Sequence, residues 1–166
     1  DEQPATFGFT LTRPLATLGT VLLLCPVMFL IGYFAARSPG HLRQYPQMRI
    51  NEWPAGLFAL SILSWGAYLM AYEFLFRGYL LFAVADTAGI PEAVIINTVL
   101  YAVVHLPKGW KETVGALPFG ALICVLTLLT GNILTAFLAH WAMAFSNEYF
   151  SIRNHPDMKF TRKTVK

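Results

Sequence analysis

The sequence predicts an all-α fold, a polytopic bundle of about five transmembrane helices. Its hydrophobic fraction is 56% and its charged fraction is 13%, whereas ordinary soluble domains contain about 45–50% apolar and about 25% charged residues. The charges are also clustered, which leaves long uncharged blocks. A helix needs about 20 mostly apolar residues to cross the hydrocarbon core of a bilayer. These blocks therefore indicate a protein that crosses the membrane several times.

Two uncharged blocks predict three of the spans. Residues 14–36 form the first block, which is too long for the core of a signal peptide. Residues 113–147 form the second block, and Gly131 and Asn132 divide it near its middle. Because glycine and asparagine favour tight turns, we expect one helix on each side of this pair. The predicted bounds of these two helices are 112–129 and 133–151.

Prolines mark the other two predicted spans. One helix begins at Pro54 and continues to about residue 85; its length of about 48 Å exceeds the roughly 30 Å hydrocarbon core. We therefore expect one end of it to project from the membrane, or the helix to tilt or kink near Gly66. Pro91 begins a shorter helix that reaches His105, where Pro107 ends it.

The distribution of lysine and arginine predicts the orientation. In a five-span arrangement, the basic residues between the first two helices, after His105 and in the tail all fall on one side, and Arg13 alone falls on the other. Basic loops face the cytoplasm, so we expect an outer N-terminus and a cytoplasmic tail. The net charge of +3 then indicates attraction to anionic lipid and not to nucleic acid.

Three segments organise the chain in this interpretation. Residues 1–53 hold the first span and a basic loop, residues 54–151 form a helical core, and residues 152–166 form a basic tail. Because the sequence begins at Asp1 and not at a methionine, we also allow for further spans before it. Cys25 and Cys124 lie in apolar spans without the spacing of metal ligands, which is typical of small buried residues.

Three ionisable residues are predicted to lie deep in separate helices. Glu73 and His105 are each about 21 Å from the outer ends of their helices, and His140 is about 13 Å from the turn that precedes it. We therefore expect the three side chains to share one cavity closer to the cytoplasm. Arg77 follows Glu73 by four residues, which places both on one helical face.

Structural roles explain each of these residues taken alone. Glu73 and Arg77 neutralise one another, which is sufficient reason to find both in an apolar helix. A single intramembrane histidine commonly donates hydrogen bonds between helices. Asn97, Tyr101 and His105 form a polar stripe that packing also explains. The combination of an acid, an arginine and two histidines at matching depths exceeds what helix packing requires.

The order of these residues resembles the CPBP family of intramembrane proteases, which comprises CAAX proteases and bacteriocin-processing proteins and is also called the Abi family. That family carries Glu-Glu-x3-Arg, Phe-x3-His and His-x3-Asn or Asp on successive helices. Residues 56–150 contain the corresponding pattern, with Glu112 where the family often has an acid. The matching motif residues are Glu73 and Arg77, Tyr101 and His105, and His140. Two positions differ, since Tyr72 replaces the first glutamate and Ala144 replaces the last Asn or Asp.

The resemblance implies that residues 54–151 form an intramembrane endopeptidase with Glu73, His105 and His140 as catalytic residues. Glu73 would accept a proton from water, and His105 would orient that water or protonate the leaving amine. His140 would stabilise the oxyanion. The implied supporting residues are Arg77, Tyr101, Glu112 and Tyr72. A metalloendopeptidase alternative uses the three catalytic residues as zinc ligands, although no HExxH motif is present.

The resemblance also implies a multi-pass protein of the bacterial cytoplasmic (inner) membrane that cleaves a membrane-associated protein or peptide. Tyr72 and Ala144 favour an alternative, a catalytically inactive relative that acts as a membrane scaffold or as a bacteriocin-immunity protein. A transporter is a third class, because intramembrane Glu, Arg and His also mark proton paths. The small number of spans and the lack of a matching second half argue against it.

Overall fold

The computed structural model describes residues 4–161, which form helices and one small pair of strands. This confirms the all-α prediction. The end of the predicted basic tail, Arg162 to Lys166, lies outside the described residues. The helices are α1 (Pro14–Ala35), α2 (Pro39–Leu42), α3 (Ala55–Glu73), α4 (Leu81–Ala88), α5 (Ile90–Val103), α6 (Trp110–Thr130) and α7 (Leu134–Asn154). A π-helical segment, Phe74–Leu80, joins α3 to α4, and short 3-10 turns cover Pro4–Phe7 and Leu106–Lys108. The strands are β1 (Glu52–Pro54) and β2 (Lys159–Thr161).

Three helical stretches among residues 4–161 are long and apolar enough to cross a membrane: α1, Ala55–Ala88 and α6. The other two predicted spans form helices with different properties. α5 is apolar but has only 14 residues, which gives a length of about 21 Å against a core of roughly 30 Å. α7 has 21 residues, but it is less apolar than these three stretches, and its second half contains Glu148 and Arg153.

The long helix that the sequence predicts from Pro54 begins at Ala55 and runs to Ala88 with a change of winding inside it. Its central segment, Phe74–Leu80, is π-helical. In such a segment each carbonyl accepts from the amide five residues later, so the turn is wider than in an α-helix. The irregularity therefore lies immediately after Glu73, whereas the sequence offered a kink near Gly66 as one of the alternatives. Gly66 instead lets the indole of Trp141 approach closely, at 3.1 Å from the position of a Cβ atom.

The prediction that α5 reaches His105 is wrong by two residues, because α5 ends at Val103. The reason is Pro107. Its ring clashes with the carbonyl of the residue four positions earlier, which is Val103, and it has no N–H to donate. His105 therefore lies in a turn that precedes the 3-10 helix Leu106–Lys108.

The turn between α6 and α7 lies where Gly131 and Asn132 predict it. Gly131 adopts φ +71°, a left-handed conformation that favours glycine and ends α6. Asn132 is fully buried, and its Nδ2 donates to Thr17 Oγ1 at 2.8 Å while its Oδ1 accepts from the Leu134 amide at 3.1 Å. The asparagine therefore caps α7 and attaches the turn to α1.

Two compact units account for most contacts within the chain. One comprises residues up to 21 together with 70–138, and the other comprises residues 22–69 together with those from 139 onward. α5 and α6 form the most extensive helix pair of the first unit. The predicted division into residues 1–53, 54–151 and 152–166 stays a prediction.

The second unit joins α1, the start of α3, α7 and the strand pair. β1 and β2 are parallel, with Trp53 opposite Phe160. The ring of Phe58 on α3 lies 5.2 Å from that of Phe160 and 5.8 Å from that of Phe145 on α7. Aromatic pairs at these distances contribute more to the stability of the fold than the burial of their surface alone. The strands thus attach the segment after α7 to the segment before α3.

Candidate active site

Glu73 and Arg77 form a fully buried ion pair. Both side chains have 0% exposure, and Arg77 Nη1 lies 3.2 Å from Glu73 Oε2. An isolated charge in such a place would lose its hydration without compensation, so a buried charge is found with a partner. The pairing explains why two charged residues occur in an otherwise apolar helix, and it places a carboxylate inside the protein.

The winding of the backbone determines how these two side chains are presented. Glu73 is the last residue of α3, and Arg77 is the fourth residue of the π-helical segment. π-helical turns are rare, and they occur frequently at functional sites. The acid and the arginine therefore lie on either side of the transition from α to π winding.

Tyr101 of α5 lies against the arginine. The Arg77 Cζ is 3.9 Å from the centroid of the Tyr101 ring, close enough for a cation–π interaction, and Tyr101 is buried. Gly120 of α6 makes this approach possible, because a Cβ atom there would lie 3.0 Å from Tyr101 Cδ1 and 3.6 Å from Arg77 Nη2. The π-helical segment, α5 and α6 thus meet around one guanidinium.

His105 also lies against Tyr101. Its ring centroid is 4.6 Å from that of Tyr101, and its Nδ1 lies 2.7 Å from the Tyr101 carbonyl oxygen. A carbonyl oxygen only accepts, so Nδ1 carries the proton in this contact. In the neutral imidazole, Nε2 is then an acceptor. The turn caused by Pro107 lets the ring fold back onto the helix that it follows.

Tyr72, which stands where the CPBP pattern has its first glutamate, belongs to the same cluster. Its ring lies 4.7 Å from that of Phe76 and 5.8 Å from that of Tyr101. The structure therefore brings together Tyr72, Glu73, Arg77, Tyr101 and His105 through consecutive contacts within the first unit. Tyr72 contributes an aromatic ring and a hydroxyl group at the position where the pattern has its first glutamate.

The remaining predicted site residues lie elsewhere along the chain. Glu112 is half-buried in the first turn of α6, shortly after His105. His140 is half-buried on α7 and belongs to the second unit, as does Ala144. The cavity shared by Glu73, His105 and His140 stays a prediction.

The zinc alternative uses Glu73, His105 and His140 as ligands, and His140 belongs to a different compact unit from the other two. Within residues 4–161, no three His, Cys, Asp or Glu side chains come together as a group that could hold one. Catalytic zinc sites in proteins use three such ligands. The zinc alternative stays a prediction, and the chemistry proposed below uses side chains alone.

Asn97 and Cys124 contact the site but were not predicted to take part in it. Asn97 is fully buried, its Nδ2 donates to the Phe76 carbonyl, and its Oδ1 accepts from Cys124 Sγ at 3.1 Å. In the sequence, Asn97 is visible only as part of a polar stripe on α5. Its position one turn before Tyr101 is the signal that connects it to the site, because residues four apart share a helical face.

Comparison with known proteins identifies the family. Residues 51–146 match the profile of the family described as Type II CAAX prenyl endopeptidase Rce1-like. The chain belongs to this family. The match includes Glu73, Arg77, His105 and His140, and it confirms the resemblance to CAAX proteases that the motifs indicate. No curated protein and no solved structure gives a significant match. Membership of this Rce1-like family, together with the apolar spans, makes the chain a membrane protein of a protease family.

Proposed function

We propose that the chain is an intramembrane endopeptidase of the CAAX type, in which Glu73 is the general base. The observation that carries this proposal is the cluster of buried Glu73, Arg77 and Tyr101 with half-buried His105, inside the region that matches the Rce1-like family. A carboxylate, a counter-charge and an imidazole in one protected place are the groups that acid–base hydrolysis requires.

In the proposed reaction, Glu73 accepts a proton from a water molecule whose oxygen forms the new bond to the scissile carbonyl carbon. Arg77 supplies the counter-charge that keeps a carboxylate compatible with burial. The proton then passes to the leaving nitrogen as the carbon–nitrogen bond breaks. The products are a carboxylic acid and an amine, which exchange the remaining water proton to become a carboxylate and an ammonium group, and Glu73 returns to its starting state.

His105 orients the water in this scheme. Its Nδ1 lies against the Tyr101 carbonyl oxygen, so in the neutral ring Nε2 is the nitrogen that would accept a hydrogen bond from the water. Fixing the water in this way lowers the entropic part of the barrier. The tautomer thus favours orientation of the water over protonation of the leaving amine.

His140 is proposed to donate a hydrogen bond to the oxyanion that forms when water attacks the carbonyl. Preorganised donors of this kind contribute strongly to acyl-transfer catalysis, and removal of one lowers kcat by about 10²–10³-fold. With Ala144 in place of the usual Asn or Asp, His140 acts here without the second donor of the family pattern. We therefore expect slower turnover than in relatives that retain both.

A catalytically inactive family member is the second candidate function. Two residues favour it, since Tyr72 removes one carboxylate from the first motif and Ala144 removes the polar side chain from the third. Such a protein would act as a membrane scaffold or as a bacteriocin-immunity protein. Its buried pair would then serve folding alone.

Substitution of Glu73 and His105 distinguishes the two candidates. Glu73→Gln retains size and polarity but removes the proton acceptor, and we expect activity to fall by about 10²–10⁴-fold. His105→Ala should have a comparable effect. The double variant should be little worse than either single variant, because residues that act as a unit are not additive.

The assay is cleavage of membrane-reconstituted peptides that end in a CAAX sequence, with and without a prenyl group, per amount of folded protein. Glu92→Gln is the matched control, because this glutamate is exposed at the start of α5. Full cleavage by folded Glu73→Gln would overturn the assignment of the base. A wild-type protein that binds these peptides without cleaving them would favour the scaffold.

We further propose a multi-pass arrangement in a bacterial cytoplasmic membrane, with the basic tail on the cytoplasmic side next to anionic lipid. The excess of lysine and arginine in the tail supports this orientation. A reporter fused after Lys166 should therefore be active only when it is a cytoplasmic reporter. Activity of a periplasmic reporter at the same position would contradict the proposed topology.

A further inference from the structure

Asn97 joins three parts of the first unit through one buried amide. Its Nδ2 donates to the carbonyl oxygen of Phe76 in the π-helical segment, and its Oδ1 accepts from Cys124 Sγ of α6 at 3.1 Å. Because a carbonyl only accepts and a thiol donates here, the two partners fix the orientation of the amide group. The side chain is 0% exposed, so no bulk water replaces either partner.

Phe76 follows Glu73 and precedes Arg77 in the sequence, and its carbonyl oxygen accepts two hydrogen bonds. It accepts the Leu81 N–H, which is the five-residue spacing of a π-helix, and uses its second lone pair for Asn97. A π-helical turn is rare because α winding is ordinarily preferred, so it persists where the surrounding structure supports it. Asn97 of α5 supplies one such support, because it donates a hydrogen bond to the backbone of this segment.

We propose that Asn97 is a positioning residue for the hydrolysis: it holds the π-helical segment in the winding that presents Arg77 and Glu73 to Tyr101 and His105. This inference rests on the proposed function of Glu73. The geometric reason is the large displacement of side chains that a return to α winding would cause. Loss of the extra residue per turn would rotate the following side chains by about 100° and shift them by about 1.5 Å along the axis.

α5 makes two contacts with the segment along the same face. Asn97 holds the backbone at Phe76, and Tyr101, one turn later, lies against the Arg77 guanidinium at 3.9 Å. The first contact acts on the main chain and the second on the side chain. Removal of the first therefore alters where the arginine and its carboxylate lie without removing either charged group.

The test uses the full chain in lipid nanodiscs and two independent readouts. Asn97→Leu is close in size and removes both hydrogen bonds, and Asn97→Ala is a second variant that introduces neither charge nor branching. Thr127→Val is the matched control, because Thr127 is equally buried in the same unit and its hydroxyl has no hydrogen-bond partner within residues 4–161.

The first readout is amide hydrogen exchange, which requires no activity. Both Asn97 variants should raise exchange in the peptide that covers residues 74–81 by about tenfold, because a buried hydrogen bond to this backbone is lost. The control should leave that peptide unchanged. Unaltered exchange at 74–81 in both Asn97 variants would show that the amide does not hold the segment, whatever the function of the protein.

The second readout is cleavage per folded protein. We expect kcat to fall by about 10²-fold with KM unchanged, since misplacement of catalytic groups by about 1 Å has effects of this size. Raised exchange together with an unchanged kcat would overturn the positioning role and leave Glu73 as the base. An active Glu73→Gln variant would instead overturn the proposed function. The exchange result would still show whether the hydrogen bond from Asn97 to Phe76 holds the π-helical segment.

Discussion

Replacement of Arg77 by methionine should lower the free energy of unfolding by about 3–5 kcal/mol, the usual effect of removing one partner of a buried ion pair. Both side chains are inaccessible and 3.2 Å apart, and at an effective dielectric constant of about 20 their attraction is about 5 kcal/mol. Methionine retains an unbranched stem that packs against Tyr101. The loss therefore arises from the carboxylate of Glu73, which would be buried without its counter-charge.

The measurement is denaturant unfolding of the purified protein in detergent. The double variant with Arg77→Met and Glu73→Gln should recover most of the lost stability, because no uncompensated charge is then buried. Lys159→Met is the control, since it breaks an exposed pair with Glu52 at 3.6 Å and exposed pairs contribute less than about 1 kcal/mol. A stable Arg77→Met protein, or a double variant weaker than Arg77→Met alone, would refute the reasoning.

Two further predictions concern the second unit and α1. Gly32→Ala should destabilise the protein by about 1–3 kcal/mol in the same unfolding assay, because the new Cβ atom would lie 2.2 Å from Ser146 Oγ. Gly19→Ala is the control and should be neutral or slightly stabilising, because nothing lies within 4 Å of its Cβ position. Equal effects at both positions would contradict the packing argument. Burial lowers the pKa of the His41 side chain below its usual 6.5, so the unfolded chain binds more protons below about pH 6.5 and stability declines as pH falls through that window. His41→Gln should reduce this decline in thermal unfolding between pH 7.5 and 5, and an unchanged pH dependence would exclude His41 as its source.

The helices could be predicted because their signals are local. Uncharged blocks identify α1 and α6, and Pro91 marks the start of α5. Gly131 also has a local meaning, since a positive φ ends the helix that precedes it. Signals of this kind act through the residue itself or its immediate neighbours, so they survive without knowledge of the tertiary structure.

The π-helical segment could not be predicted in the same way. Its sequence, FLFRGYL, contains no residue that excludes α winding except a glycine, which α-helices in membranes tolerate. The wider turn depends on partners such as Asn97 that are distant in sequence. The strand pair was missed for a related reason, because each strand has only three residues and its partner lies at the other end of the chain.

Within the candidate site, the pairing of Glu73 with Arg77 could be predicted from the sequence, whereas the catalytic roles stay a prediction. The spacing of Glu73 and Arg77 indicates a shared helical face, and the ion pair has that arrangement. The position of His105 was approximate, because the effect of Pro107 on the preceding turn was placed too late in the chain. Its contact with Tyr101 depends on that turn, which a continuous helix would not provide.

The pairing of β1 with β2 has a consequence for the order in which the chain matures. β1 leaves the ribosome before α3, but its partner strand follows α7, so the pair forms only after the intervening helices have been synthesised. Until then Trp53, which is fully buried in the finished protein, lacks the strand that lies beside it. An incomplete chain would present the unpaired backbone of β1 and the indole of Trp53 to the cell's proteases and chaperones. The second unit therefore acquires its strand pair only after the segment that follows α7 has been synthesised.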